Sequence, residues 1–388
     1  MGYFEGTPMS AKHSRIYLDH AATTALLPDV KTRMTEAMER FGNPSSLHEH
    51  GRSAKHEIDW SREIVAEALG CMFAEVVFTG SGTEAANLAI IGTALANENI
   101  QRNRILLSSI EHHCVLNTKF LLEKLGYNVE LLPVDRESFL DQSALEEHLR
   151  DDVLLVSVMS ANNETGAIQP LKEVISLAHK RKIKVHCDHV QGFLKAIPNP
   201  ILLGADLVSV AAHKVNGPKG VGALAVLNGT KIKPLITGGE QEREMRGGTE
   251  NVIGIVGFGE AILGHKLMKL RVLRDRFLDS LLTIGAVPTV KDRTRTLDSH
   301  IHVRFPGIDA ETLLIRFDRQ GISASSGAAC SSGSIEASHV MLACGYSDDE
   351  AKEGLRFSIG VGNTAEELGR AFEAISKCLV EIRGHRAS

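Results

Sequence analysis

The stretch IKVHCDHVQGFLKAIPNPILLGADLVSVAAHK, residues 183–214, contains two short runs of β-forming apolar residues, IKVHCD and ADLVSV. The segment between them contains glycine and proline, which interrupt the β pattern. A polar side chain stands at the end of each run, Asp188 at the first and Lys214 just after the second. The stretch therefore predicts two strands whose ends present Asp188 and Lys214.

The chain around this stretch, from about residue 75 to residue 226, repeats the same alternation. Further β-rich runs are EVVFT, RILLSS, NVELLPV, VLLVSVM and VGALAV. Helical patterns are expected from Thr83, from about Val115, near Ser143–Leu149 and over Leu171–Lys180. Repeated βαβ order predicts an α/β fold with a mainly parallel central sheet that helices cover on both faces.

The C-terminal third has a different pattern. Its expected elements are a long amphipathic helix over Ile255–Leu282, the run HIHVRF, a helix over Ala310–Gln320, the run LRFSIG and a helix over Ala365–Ile382. This order predicts a smaller α+β domain, completed by the N-terminal segment Ile16–Leu18. We expect a large domain over residues 22–263 and a small domain formed by residues 1–21 and 264–388.

Composition and charge restrict the class of protein. The 388 residues are 43% hydrophobic and 23% charged, as in soluble globular proteins. The net charge is −5 and there is no long basic run, so we expect neither nucleic-acid nor membrane-surface binding. No apolar stretch is long enough to span a membrane, and the N-terminus lacks the order of a secretory signal. We expect a cytoplasmic protein that acts on a small molecule.

Polar residues follow five of the predicted strands. They are Ser81–Glu84, Glu111–His112, Asn162–Asn163, Asp188 and His213–Lys214. Ligands of parallel α/β sheets bind at the carboxyl ends of the strands, so these residues are expected to converge on one site. A lysine can carry pyridoxal 5'-phosphate (PLP) as a Schiff base, and an aspartate can keep the pyridine nitrogen protonated. Lys214 and Asp188 therefore indicate a PLP site.

Each part of that site has a plainer alternative when taken alone. TGSGTEAANLAI could bind phosphate at a helix N-terminus, or be an ordinary turn with Thr83 as the N-cap. Lys214 could be a surface charge, and His112 could be a structural histidine instead of one that stacks on a flat ring and moves protons. Arg356 could bind a carboxylate or form a salt bridge, and the sequence leaves that choice open.

The six cysteines show no metal-ligand spacing, and we expect no metal site. Five of them are interpreted as small core residues. Cys330 differs because it lies in SASSGAACSSGS, a segment without apolar periodicity. This position indicates an exposed and reactive thiol on a loop.

Several motifs together resemble the cysteine desulfurases of the NifS/IscS type, which are PLP enzymes of the class V aminotransferase-like group. The landmarks are YLDHAATT, FGNPSSLHEHGR, FTGSGTEAANLAI, EHHCVLNT, NNETG, HCDHVQ, AAHKVNGPKGVGAL, MRGGTEN, SSGAACSSGS and LRFSIG. They extend from Tyr17 to Gly360, nearly the whole chain. The resemblance implies the PLP-dependent transferase fold, of the aminotransferase type I-like class.

The resemblance also implies a role for each matching residue. Lys214 would carry PLP, Asp188 would pair with the pyridine nitrogen, and His112 would stack on the ring and take part in catalysis. Gln191 and Asn163 would lie near the ring hydroxyl, with Asn163 also near the substrate. Phosphate would be held by Gly82, Thr83 and His213, together with Thr249 of the other subunit of a homodimer. Arg356 would bind the substrate carboxylate.

The implied reaction removes sulfur from L-cysteine, releases L-alanine and leaves a persulfide on Cys330, which lies on a loop over about residues 323–334. Cys330 precedes Arg356 by 26 residues, as in the long-loop branch of the family. Members of that branch pass sulfur to iron–sulfur scaffold or tRNA-thiolation proteins, which are therefore the expected partners. The alternatives are another PLP-dependent lyase, such as a selenocysteine lyase, or a non-catalytic scaffold of the same fold.

The chain departs from the family pattern at two positions. His189 stands where a small residue is usual, and Ala211 stands where a serine is usual. Loss of that hydroxyl would remove one phosphate hydrogen bond, worth about 0.5–1.5 kcal/mol. His189 is expected to point away from the cofactor ring, with an influence on Asp188 as the alternative.

Overall fold

The computed structural model describes residues 15–267, 270–327 and 337–387. Its strands are β1 (Ile16–Tyr17), β2 (Val76–Thr79), β3 (Arg104–Ser108), β4 (Asn128–Leu132), β5 (Val153–Ser157), β6 (Lys184–Asp188), β7 (Leu207–Ala211), β8 (Gly222–Val226), β9 (Val287–Pro288), β10 (His300–Arg304), β11 (Ile322–Ser323) and β12 (Gly354–Ser358). Its helices are α1 (Pro28–Met38), α2 (Glu49–Leu69), α3 (Gly82–Ala96), α4 (His113–Leu116), α5 (Lys119–Lys124), α6 (Gln142–His148), α7 (Leu171–Lys180), α8 (Pro200–Leu203), α9 (Val252–Leu263), α10 (Arg271–Thr283), α11 (Ala310–Arg319), α12 (His339–Ala343), α13 (Asp348–Lys352) and α14 (Ala365–Ala387).

The central sheet has seven strands in the order β2-β8-β7-β6-β5-β3-β4. Strand β8 is antiparallel to both of its neighbours, and every other neighbouring pair in this sheet is parallel. The predicted α/β fold with a mainly parallel sheet is therefore confirmed. The two strands of residues 183–214 are adjacent, with Asp188 opposite Ser209.

Helices cover both faces of this sheet. Alternate strand residues belong to separate clusters: Leu106 packs in the cluster that includes α2, α7 and α9, whereas Ile105 and Leu107 pack with α3. All five residues of β3, β5, β7 and β8 are buried. Burial on both faces explains why these strands read as continuous apolar runs without polar alternation.

The C-terminal part forms a separate hydrophobic core. A three-stranded sheet, β12-β10-β9, is antiparallel, and α10, α11 and α14 contribute to its core. Strand β1 pairs in parallel with β11, and Ile16 and Leu18 are buried in the same core. The N-terminal segment thus packs against the C-terminal part of the chain. The domain boundaries at residues 21–22 and 263–264 stay a prediction.

The expectation of one long helix over residues 255–282 is wrong. The structure has two helices, α9 and α10, and α9 ends at Leu263 with Gly264 as its C-cap. Ile255 and Phe258 of α9 pack in the large core, whereas Phe277 of α10 packs in the C-terminal core. Continuous apolar periodicity could not reveal that the two halves serve different cores, and Gly264 is a weak helix former.

The longest helix, α14, has 23 residues and is amphipathic. Leu368, Ala371 and Ile375 pack in the C-terminal core, whereas Val380 is exposed. Within the described ranges, no helix combines the length and apolar character needed to cross a membrane.

A buried ion pair connects the large core to the loop before α9. The Nη1 and Nη2 atoms of Arg62 each lie 2.7 Å from one carboxylate oxygen of Glu242, and both side chains are 1% exposed. The N–H of Phe78 donates to the same carboxylate at 2.9 Å. Glu242, Arg243 and Glu244 all have positive φ angles, between 47° and 62°. These contacts hold a loop in a conformation that non-glycine residues rarely adopt.

We expect Arg62→Met to destabilise the protein by about 3–5 kcal/mol, because it leaves the Glu242 carboxylate buried and unpaired. Chemical denaturation of the protein measures the loss. Adding Glu242→Gln should restore part of the stability, since the amide is neutral and can still accept from Phe78. Arg181→Met is the matched control. Because Arg181 pairs with exposed Asp151 at 3.5 Å, this substitution should lower the free energy of unfolding by less than about 1 kcal/mol. Equal losses of stability in Arg62→Met and Arg181→Met would contradict this explanation.

Candidate active site

A cavity of about 330 Å³ opens where the carboxyl ends of β3, β5, β6 and β7 meet the start of α3. The predicted site residues that line it are Gly82, Thr83, His112, Asn163, Asp188, Gln191, His213, Lys214 and Arg356. The structure thus brings together nine residues that extend over most of the sequence. Thr249 does not line the cavity; its role was predicted for a partner subunit and stays a prediction. Cys330 lies outside the described residues.

Lys214 ends a short 3-10 turn, Ala212–Lys214, that directly follows β7. Its Nζ donates to the carbonyl oxygens of Ala21 at 2.6 Å and Ala22 at 2.8 Å. Burial, together with the charge of Arg356, lowers the lysine pKa to about 8. A larger fraction of neutral amine is therefore present near neutral pH than for an exposed lysine, as Schiff-base formation requires.

Asp188 is the last residue of β6 and is 6% exposed. One of its carboxylate oxygens accepts from the N–H of Val190 at 2.9 Å. Burial raises the pKa of Asp188 to about 6, while that hydrogen bond and the charge of Lys214 act in the opposite direction. A cationic group placed beside this carboxylate would be stabilised, because the carboxylate lacks an ion-pair partner within 4.0 Å among the described residues.

The start of α3 forms a cradle for an anion. Ser81 is the N-cap, since its hydroxyl accepts from the N–H of Glu84 at 3.1 Å, so the alternative in which Thr83 is the cap is wrong. The N–H groups of the first turn, at Gly82 and Thr83, have no helical carbonyl partner and favour phosphate. A Cβ at Gly82 would lie 3.1 Å from a Val190 methyl carbon and 3.2 Å from the Ala211 Cβ, so a larger residue would crowd both side chains.

His112 is positioned by its own backbone. Its Nδ1 accepts from the N–H of Cys114 at 3.1 Å, which places the ring proton on Nε2. The ring stays accessible from the cavity, yet desolvation by the surrounding protein and the charge of Lys214 lower its pKa to about 4. The neutral ring suits stacking on an aromatic cofactor. His113 does not line the cavity, and the centroid of its ring lies 4.3 Å from that of the His339 ring.

Arg356 forms the salt bridge that was one of the two alternatives left open by the sequence, and its role in carboxylate binding stays a prediction. Its Nη2 forms a salt bridge with Asp19 at 2.6 Å, and its Nη1 donates to the carbonyl oxygen of Asn163 at 2.8 Å. A guanidinium has five N–H donors, so three remain, and the buried Nε has no partner among the described residues. Arg356 is thus held in place with donors still free for a carboxylate.

The residues present fit PLP. They supply an amine at Lys214, a carboxylate at Asp188 and an anion cradle at Gly82 and Thr83. The buried Oδ1 of Asn163 also lacks a described partner and can accept from a ring hydroxyl. This donor and acceptor set matches the aldehyde, the pyridine nitrogen, the phosphate and the hydroxyl of that cofactor.

The two departures from the family pattern lie outside the cavity lining. His189 is 4% exposed, and its Nδ1 is 2.9 Å from the Ser160 hydroxyl oxygen. Ser160 in turn donates its N–H to the carbonyl oxygen of Asp188 at 2.9 Å. His189 therefore points away from the cavity, as expected, and supports the backbone that carries Asp188. Ala211 is also buried and does not line the cavity.

Sequence reasoning missed two residues of the site. Asp19, which follows buried Leu18 in YLDHAATT, is the ion-pair partner of Arg356. Cys114 lines the cavity, although it was interpreted as a core residue; burial raises its thiol pKa, so it stays protonated. Its position two residues after His112, just past β3, was the signal available. Glu111, which the sequence did place at this edge of the sheet, is fully buried beside Asp188 and does not line the cavity; burial raises its pKa well above the ordinary value.

Comparisons with known proteins agree with this geometry. The family model described as aminotransferase class-V matches residues 16–370. A protein named cysteine desulfurase IscS from Methanosarcina thermophila is 41% identical over 98% of this chain and 95% of its own length. A putative cysteine desulfurase IscS 1 from Bacillus subtilis is 41% identical over 93% of this chain and 98% of its own. A solved NifS-like protein aligns with a TM-score of 0.87 at 34% identity, covering 94% of this chain and 99% of that one.

We expect the rate at which Lys214 of the apo-protein reacts with PLP to rise with pH and to level off above about pH 8. The reason is that only the neutral amine attacks an aldehyde, and burial lowers the pKa of this amine from 10.5 to about 8. Stopped-flow absorbance measures the rate, and borohydride reduction followed by peptide mass spectrometry locates the modified lysine. Exposed Lys180 is the internal control. A midpoint near 10.5 would show that Lys214 is not desolvated.

Proposed function

The chain belongs to the aminotransferase class-V family, and we infer that it is a PLP-dependent cysteine desulfurase. The observation that carries this function is the meeting of Lys214, Asp188 and Arg356 in one cavity, although they lie on different elements of two cores. Relatives named cysteine desulfurase that match nearly the whole chain support the same conclusion. The reaction converts L-cysteine to L-alanine and moves its sulfur to a protein thiol.

Each charged or polar side chain of the site has its own role in the proposed reaction. When bound, PLP supplies an aldehyde that amines attack and a ring that accepts an electron pair. Asp188 would hold a proton on the ring nitrogen, and neutral His112 would pack against the ring face. The free donors of Arg356 bind the substrate carboxylate and orient its Cα hydrogen toward Lys214. The Lys214 amine, with a pKa of about 8, accepts that proton and returns it later.

The sulfur acceptor in this proposal is Cys330. Its thiolate attacks the sulfur of L-cysteine, so that an S–S bond forms while the substrate C–S bond breaks. The electron pair of the broken bond remains on the alanine carbon, which takes up a proton. Cys330 then holds a persulfide that an acceptor protein can reduce or accept. Gly327, three residues before Cys330 in the sequence, lines the cavity.

The remaining parts of the proposal concern partners. We propose a homodimer in which Thr249 of one subunit reaches the phosphate of the other, with iron–sulfur scaffold or tRNA-thiolation proteins as sulfur acceptors. The supporting observation is the family membership of the chain together with the loop-length pattern in its sequence. A cytoplasmic location stays a prediction from the sequence.

We expect Cys330→Ser to bind PLP normally but to release no alanine from L-cysteine beyond the uncatalysed background. The hydroxyl cannot form a persulfide, whereas the cofactor residues are unchanged. Alanine analysis and peptide mass spectrometry measure the two effects, with one added sulfur atom expected on Cys330 of the unsubstituted protein. Cys114→Ser is the matched control because that thiol lines the cavity and stays protonated.

Each other outcome of this experiment identifies a different function. Unimpaired alanine release by Cys330→Ser would identify a lyase that needs no protein thiol, of which a selenocysteine lyase is one example. Failure of the unsubstituted protein to bind PLP at all would favour the non-catalytic scaffold.

We expect Arg356→Lys to lower kcat/KM for L-cysteine about 10–100-fold, mainly through KM. An ammonium cannot replace the planar fork that Asp19 and Asn163 hold in place, and lost charge-assisted hydrogen bonds cost about 1.5–3 kcal/mol. Arg136→Lys is the control, since Arg136 is exposed and pairs with Glu350 far from the cavity lining. An unchanged KM would show that Arg356 does not bind the substrate carboxylate.

A further inference from the structure

A second, smaller cavity of about 80 Å³ lies against the first and shares Ala21, Gln191 and Lys214 with it. Its other walls come from both cores. Residues 194–197 follow β6, residues 265, 267, 270 and 271 lie between α9 and the start of α10, and residues 294 and 296–300 lead into β10. One water needs roughly 10–15 Å³ of such space, so there is room for several waters or for an ion of a few atoms. The proposed function leaves the polar groups specific to this cavity unused.

The cavity collects polar groups without partners. His20, His265 and His300 all line it, and each has a buried ring nitrogen with no hydrogen-bond partner among the described residues. His300 is only 2% exposed. Buried polar side-chain atoms are nearly always satisfied by protein or by a bound species. Three unpartnered ring nitrogens around one space indicate that a bound species completes their hydrogen bonding. His20 and His265 already donate to protein groups through their other nitrogen, so their free nitrogens are acceptors that water can satisfy, whereas His300 can direct an N–H into this space.

The charge around the cavity is also unbalanced. Lys195 lines it, and no carboxylate of the described residues lies within 4.0 Å of its ammonium group. Burial alone accounts for its lowered pKa, without any opposing carboxylate. Its positive charge lowers the pKa of His20, His265 and His300, which places it near all three.

The other charged groups in this wall do not compensate Lys195. Arg271 pairs with Asp298 at 2.9 Å, which neutralises both. Lys214, where the two cavities meet, supplies no negative charge either. Buried charges without a partner are costly, so a negative species in this space would relieve the imbalance.

We propose that this cavity binds a small monovalent anion, held by the Lys195 ammonium and by the Nε2–H of His300, whose Nδ1 accepts from the Ser299 hydroxyl at 3.0 Å. An anion can accept from both donors and also offsets the charge of Lys195, which a water molecule cannot do. A cation would be repelled by Lys195, and the described residues contain no cluster of three His, Cys, Asp or Glu able to hold a metal. The shared chemistry admits an inorganic ion or a short carboxylate.

Occupancy of the cavity would join the two cores. Lys195 belongs to the connection between β6 and β7, whereas His300 begins β10. An anion that contacts both would oppose their separation and thereby favour the native state by mass action. The cofactor pocket would be unchanged, because the residues that are specific to the anion cavity do not line it.

The first test is thermal unfolding of the PLP-loaded protein in increasing bromide, with ionic strength held constant by the salt of a bulky organic anion. We expect a saturable rise in Tm of about 1–2 °C at ten times the Kd, with no change in the cofactor absorbance band. Lys195→Met should abolish the rise, whereas Lys180→Met, at an exposed site on α7, should keep it. A rise that never saturates, or that persists in Lys195→Met, would overturn the proposal.

The second test does not depend on a variant. Crystals of the PLP-loaded protein grown or soaked in bromide should give an anomalous peak within hydrogen-bond distance of the Lys195 Nζ. If the cavity also binds carboxylates, adding acetate should remove this peak. A peak that acetate does not displace would identify a halide site. Ordered water with no anomalous signal at Lys195 would overturn the proposal. Neither readout uses the desulfurase reaction, so failure of the proposed function and failure of the anion site are distinguishable.

Discussion

Hydrogen bonding between β6 and β7 places Asp188 directly opposite Ser209, and the rest of the site depends on this register. Because the strands run in the same direction, both leave the sheet at one edge. Asp188 ends one strand there, and Lys214 follows the end of the other by a single 3-10 turn. A shift by one residue would turn Asp188 to the opposite face of the sheet. The carboxylate and the amine can therefore meet only in this pairing.

The N-terminal segment connects that edge to the C-terminal core. Ala21 and Ala22 offer carbonyl oxygens to Lys214, while Gln191 donates to Ala21 at 2.9 Å. Two residues earlier, Asp19 fixes the guanidinium of Arg356. One short segment thus positions groups from both cores relative to each other. These contacts explain the motif YLDHAATT in this segment, since each contact needs a defined backbone conformation as well as the right side chain.

Much of the fold could be predicted because burial on both faces leaves a strong apolar signal in each parallel strand. The site residues on strand ends could be predicted for the same reason, since the sheet topology brings them to one edge. The break between α9 and α10 could not, because apolar periodicity does not say which core a helix faces. The Asp19 contact with Arg356 spans 337 residues, and no local pattern indicates it. The resemblance to a known family supplied the roles that the geometry of single residues leaves open.

The pairing of β1 with β11 has a consequence for synthesis of the chain. Strand β1 begins at residue 16, yet its partner ends at residue 323, and the helix that closes this core, α14, extends to residue 387. The central sheet is complete once residue 226 has been made, so it can assemble while translation continues. The C-terminal core has to wait until α14 has been made. Strand β1 is therefore made long before its partner strand exists, and Asp19 reaches Arg356 only after residue 356 has been made.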